Sequence, residues 1–78
     1  MSATQSAVLP PQNDQRREIF RRFMVERRMK AQSWAKDSGI ATSVIYSYLH
    51  GRVRRLSEPQ EVALARAANV SVRELFGG

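Results

Sequence analysis

The side chains that would activate a catalytic nucleophile are scarce in this chain, and thiols are absent. It has one histidine, His50, and no cysteine, and its seven Asp and Glu are scattered over 78 residues. Such an inventory offers no nucleophile with a base and an orienting group beside it, and no ligand set for a metal ion. Enzymatic activity is therefore not expected, nor is a metal, a cofactor or a small-molecule substrate. What remains is cationic chemistry. Thirteen Lys and Arg leave a net charge of +6. Residues 14–30 carry seven basic and three acidic side chains, residues 31–56 four and one, and residues 57–78 two and three, so the excess lies in the first two-thirds. Arg52, Arg54 and Arg55 fall in one short stretch. A guanidinium presents its donors as a planar fork that matches a phosphate. A field of this kind favours a polyanion, with nucleic acid ahead of an acidic membrane or protein.

The scaffold that must hold these cations is small. Seventy-eight residues with 42% apolar content bury one modest core, which makes one domain. Without cysteine, helix packing has to supply the stability. No apolar run reaches the roughly 20 residues of a membrane span, and the opening Met-Ser-Ala-Thr-Gln-Ser lacks the features of a signal peptide, so a soluble, intracellular protein is expected. Residues 1–12 are small and polar and end in Pro10-Pro11. They read as a disordered N-terminal tail, which leaves residues 13–78 as the domain.

Helical spacing runs through the rest. Asn13-Asp14 stands where a cap belongs, and Ile19, Phe20, Phe23 and Met24 form one apolar stripe of a helix continuing to about residue 28. The arginines on its other faces, Arg16, Arg17, Arg21 and Arg22, read as solvated. A short helix over residues 31–38 turns Trp34 and Ala35 inward and ends at Gly39. A third helix spans residues 42–50, with Ile45, Tyr48 and Leu49 on one face and Gly51 as its stop. Ser57 with Gln60, and Ser71 with Glu74, are capping-box pairs that open a fourth and a fifth helix. Pro59 falls in the tolerant first turn of the fourth, and Asn69 is suited to end it. The pattern predicts an all-α, five-helix domain whose core contains Phe20, Phe23, Trp34, Ala35, Ile40, Ile45, Leu49, Leu64 and Leu75.

Two helices joined by a short Gly turn form the helix-turn-helix unit. The stretch from Ala31 to Tyr48 resembles that unit in the lambda-repressor and Cro-like (XRE) family. Ala35 stands where the two helices must approach closely, Gly39 where the turn needs positive φ, and Trp34, Ile40, Ile45 and Tyr48 where apolar groups are buried. The likeness continues through Leu49-His50-Gly51 and through residues 64–76. The chain also departs from the pattern. Ala31 replaces the usual Gln at the start of the second helix, with Gln32 one step later. Ala41 replaces the usual hydroxyl cap of the third, so Thr42 is the alternative cap. Met24 and Leu49 stand where many relatives pair an Arg with a Glu.

The resemblance implies a double-stranded DNA-binding transcriptional regulator, a repressor, whose third helix enters the major groove. Thr42, Ser43, Tyr46 and Ser47 would then face the bases. None is an Arg, Lys, Asn or Gln able to make a bidentate pair, so base reading rests on single hydroxyl bonds and on Thr42 or Val44 against thymine methyls. Lys30, Gln32 and Lys36 around the second helix and Arg52, Arg54 and Arg55 after the third would contact phosphate. Trp34 and Tyr48 belong to the core. The family also implies a homodimer on a two-fold operator, in the cytoplasm of a bacterium or encoded by a phage, at the nucleoid. A different class of function stays open, a protein-interaction module on the same fold that has lost DNA reading. Single-stranded nucleic acid is a further rival, disfavoured by the scarcity of exposed aromatics beyond Tyr46.

Overall fold

The computed structural model describes residues 12–77, and in them the apolar stripes become five α-helices: α1 (Asn13–Glu26), α2 (Ala31–Ser38), α3 (Thr42–Leu49), α4 (Glu58–Ala67) and α5 (Val72–Phe76). No strand occurs among the described residues. The tail expected over residues 1–12 lies outside them except for Gln12, which caps α1 one residue ahead of the expected Asn13-Asp14. Its backbone N–H donates to Gln15 Oε1 at 2.9 Å.

Both Ser capping boxes form as expected. Ser57 Oγ accepts from Gln60 N–H at 3.3 Å, and Gln60 Oε1 accepts in return from Ser57 N–H at 3.0 Å. Ser71 and Glu74 repeat the exchange at 3.0 and 3.1 Å. Each box satisfies two amides that a helix start otherwise leaves unpaired.

Helices α1 to α4 share one kind of ending. In α2, Gly39 takes φ +75° and Ile40 N–H reaches back to Ala35 O at 3.0 Å. In α3, Gly51 plays this part and Arg52 N–H bonds to Ser47 O at 2.9 Å; in α4, Asn69 (φ +60°) is followed by a bond from Val70 N–H to Ala65 O at 3.0 Å. These are Schellman ends, in which one left-handed residue turns the chain and pairs orphan carbonyls. The first helix stops at Glu26, two residues early, because Arg28 takes the left-handed conformation at φ +51° and Met29 N–H closes on Met24 O at 2.9 Å. An Arg there has a Cβ that strains this geometry.

The core is aromatic. Phe20 is fully buried between the stacked rings of Trp34 (centroids 5.0 Å apart) and Phe76 (5.3 Å), with Tyr48 edge-on at 5.1 Å. Trp34 Nε1–H donates to Leu64 O at 3.0 Å, which ties α2 to α4. Of the nine expected core residues, Phe20, Phe23, Trp34, Ala35, Ile45, Leu64 and Leu75 are buried. Ile40 and Leu49 are only partly buried and pack against the cluster from its edge. Leu56, read as part of a basic loop, is a core residue at 4% exposure.

Two of these left-handed ends, at Gly39 and Arg28, give opposed outcomes. Gly39→Val should destabilise the domain by about 1 kcal/mol or more, since a β-carbon there suffers from the backbone angle although nothing lies within 4 Å of it. Arg28→Gly should stabilise it by up to about 1 kcal/mol by removing the same strain. Urea unfolding of both variants checks the pair, and stability moving in the same direction in each would contradict it.

Candidate nucleic-acid interface

In α2 and α3, the Gly39 turn sets the second helix against the first, and α3 also packs on α1. Ala35, at 3% exposure, lets the helices come close, while Ile45 and Tyr48 point α3 into the core. The opposite face of α3 is thereby turned out. Ser43, Tyr46 and His50 are exposed, and Thr42 and Ser47 are half-buried beside them. Tyr46, at 46% exposure, stacks on His50 with ring centroids 6.1 Å apart.

Val44 is half-buried, as Thr42 and Ser47 are, and packs against the edge of the core. One detail differs from expectation. The N-cap of α3 is Ala41, without a side-chain bond, and Thr42 is the first helical residue rather than a cap. The N-cap of α2 is Lys30, also without a side-chain bond. Thus α2 and α3 begin with amides that no side chain satisfies, unlike α4 and α5. Such ends attract anions through dipole and free N–H groups together.

The basic loop leaves α3 directly. Arg52 N–H and Val53 N–H both donate to Ser47 O, at 2.9 and 3.3 Å, and buried Leu56 pins the far end. Between these anchors Arg52, Arg54 and Arg55 are exposed. Lys30, Gln32 and Lys36 are exposed on α2. Lys30 and Gln32 sit at its start, while Lys36 stands in its last turn, where a cation complements the helix dipole.

Three of the arginines read as solvated do other work. Arg16 is buried, its Nη2 donating to Glu61 Oε2 at 2.6 Å and its guanidinium carbon 5.0 Å from the Phe76 ring centroid. Arg17 Nε donates to Tyr48 O at 2.9 Å, and Arg21 Nη2 to Leu49 O at 2.6 Å, so α1 cations satisfy the last carbonyls of α3. Arg22 is exposed as expected. The sequence did carry a signal for the buried pair: Arg16 lies four and seven residues before Phe20 and Phe23, and Glu61 three and four before Leu64 and Ala65. Each charge thus interrupts an apolar stripe, and the two are opposite in sign.

Tyr48 completes this inner surface. Its hydroxyl is buried with no hydrogen-bond partner among the described residues, and burial pushes the phenol above its ordinary pKa against the opposing pull of Arg16 and Arg17. Met24 and Leu49, which replace the family's charged pair, line one cavity of about 260 Å³ with Arg21 and Met29.

A Gly-turned helix pair, a bare polar face on its second helix and an arginine loop directly behind it define a helix-turn-helix DNA-binding domain. The family comparison agrees, and the chain belongs to the Cro/C1-type HTH DNA-binding domain family, whose model matches residues 20–77. No curated protein and no solved structure matches the chain. Among the described residues no helix is long and apolar enough to cross a membrane, and no group of His, Cys, Asp or Glu could hold a metal.

Because Arg17 holds the end of α3 with a side chain only 16% exposed, Arg17→Met should cost about 1–2 kcal/mol, the size of a charge-assisted bond to a carbonyl. Arg21→Met should cost less, since that side chain is 45% exposed and better screened. Thermal melts of the two variants rank them, and equal losses would mean that the contacts do not anchor the helix.

Proposed function

We propose that the chain is a sequence-specific transcriptional repressor that reads duplex DNA with α3 in the major groove. The observation that carries this reading is the bare face of α3, with Ser43 and Tyr46 exposed and Thr42 and Ser47 at its margin, lying between an uncapped helix start and three exposed arginines. Those four side chains face base edges. Lys30, Gln32, Lys36, Arg52, Arg54 and Arg55 meet phosphates, and the free amides at the starts of α2 and α3 add further donors. Occupying an operator is enough to repress, since bound protein excludes other proteins from the same DNA.

An eight-residue helix is about 12 Å long, which passes only some four base pairs at 3.4 Å each. Four base pairs recur too often to define a site, so two copies bind together on a two-fold symmetric operator. With hydroxyls in place of bidentate readers, affinity comes mainly from phosphate and discrimination from several weak contacts. On this reading the activity belongs at bacterial or phage DNA. The rival reading, a protein-interaction module, draws on the same lack of Arg, Lys, Asn and Gln on α3, and mobility of the protein with random duplexes separates the two.

Phosphate contacts and base contacts fail differently when removed. Replacing Arg54 and Arg55 together with Ala should weaken binding to all duplexes alike and flatten the salt dependence by roughly one unit of slope per lost contact. Replacing Thr42, Ser43 or Ser47 with Ala should shift preference among selected sites by about 1 kcal/mol or less and leave the slope alone. If the arginine pair were silent while α3 variants abolished association with a protein partner, the DNA reading would give way to the interaction module.

A further inference from the structure

Among the described residues, Arg52 and Arg54 have no ion-pair partner, whereas Arg55 has one. Its Nε lies 3.5 Å from Glu61 Oε2. The two ends of this contact differ sharply in setting, because the Arg55 side chain is 57% exposed and that of Glu61 only 5%. The same carboxylate oxygen accepts the 2.6 Å bond from Arg16 Nη2 inside the core. One oxygen therefore serves a guanidinium on each side, one buried and one at the surface.

Arg16 alone is enough to neutralise Glu61, so the second guanidinium is not needed to keep the carboxylate buried. What it gains is direction. An Arg engaged through Nε still has its two Nη groups to offer a second anion. A loop side chain fixed in advance loses less conformational freedom when it binds.

We infer that Glu61 is a positioning residue for DNA binding, holding the Arg55 guanidinium ready for a phosphate while Arg16 fixes Glu61 from the core. The inference rests on the reading of the loop as a phosphate contact. Its sign is unusual. Glu61 is negative and close to a surface that binds a polyanion, so neutralising it should tighten DNA binding if charge were all that mattered. Positioning demands the reverse.

The test is a fluorescence titration of labelled duplex DNA at several salt concentrations, with the protein as it stands and with Glu61→Gln, Arg55→Ala and both together. Glu61→Gln should bind about two- to fivefold more weakly, the scale of one partly exposed ion pair, despite its extra positive charge. In the Arg55→Ala background it should not weaken binding at all. Since an unpaired Arg16 threatens folding, a second variant, Arg16→Met with Glu61→Leu, replaces the buried pair by apolar side chains and should show the same weakening with its melt retained. Tighter binding by these variants, or the same loss with and without Arg55, would overturn the inference while leaving the DNA reading intact. An unsubstituted protein that binds no duplex would overturn both, and a silent Arg55→Ala in a protein that does bind would overturn the inference alone.

Discussion

The whole arrangement depends on where Phe20 sits. Its ring is stacked on both faces and met at an edge by rings from three other helices, so α1, α2, α3 and α5 all take their register from one side chain. Aromatic pairs at 5.0–5.3 Å each add about 0.5–1.5 kcal/mol beyond area burial. Total stability for such a domain is only about 5–10 kcal/mol, so this cluster is a large share of it. It also decides function at one remove. Tyr48 meets Phe20 from α3, and once Tyr48 and Ile45 point inward, helical spacing turns Ser43, Tyr46 and His50 outward. The surface offered to a partner is the complement of the surface offered to Phe20.

Electrostatics completes the mounting of α3. Its C-terminal carbonyls receive Arg17 and Arg21 from α1, and its N-terminal amides receive no side chain. Cations at one end favour the helix dipole and lock the helix to α1, while the other end keeps its positive pole unanswered. Part of the net positive charge is thus structural. Arg16, Arg17 and Arg21 are engaged within the fold, while the loop arginines, with Lys30 and Lys36, are exposed at the surface.

This division explains what could and could not be read from the chain. Spacing and capping are local properties, so five helices, the two serine caps and the left-handed ends at Gly39, Gly51 and Asn69 were legible from residue order. The roles of Arg16 and Arg17 were not, because their partners lie 45 and 31 residues away and an arginine on a helix is usually solvated. Only the stripe positions of Arg16 and Glu61 hinted at the buried pair. Arg28 was missed for a related reason, since a Cβ-bearing residue rarely takes positive φ and the composition there reads as continuing helix. That Ser43 and Tyr46 face outward followed from periodicity alone, although Thr42 and Ser47 beside them are half-buried. The partial packing of Val44 against the core edge did not, because a residue at the border of a stripe is assigned by packing and not by period.

The weakest local choices in the chain fall together. Where α4 and α5 begin, serine closes the amides, and where α2 and α3 begin, Lys30 and Ala41 leave them open. Substituting an uncapped position with a good cap commonly stabilises a protein by about 1 kcal/mol, so these two starts are suboptimal as structure. The rule that local conflicts gather at functional sites applies with a specific mechanism here. A hydroxyl on the amides would occupy the donors that a phosphate would otherwise take, and it would weaken the anion site in proportion to how well it stabilised the helix. On the proposed reading, the stability forgone at the two helix starts is recovered when DNA binds, because phosphates then cap both helices. Binding and folding are linked in that case, and the DNA-bound domain is more stable than the free one by an amount set by ligand concentration and affinity.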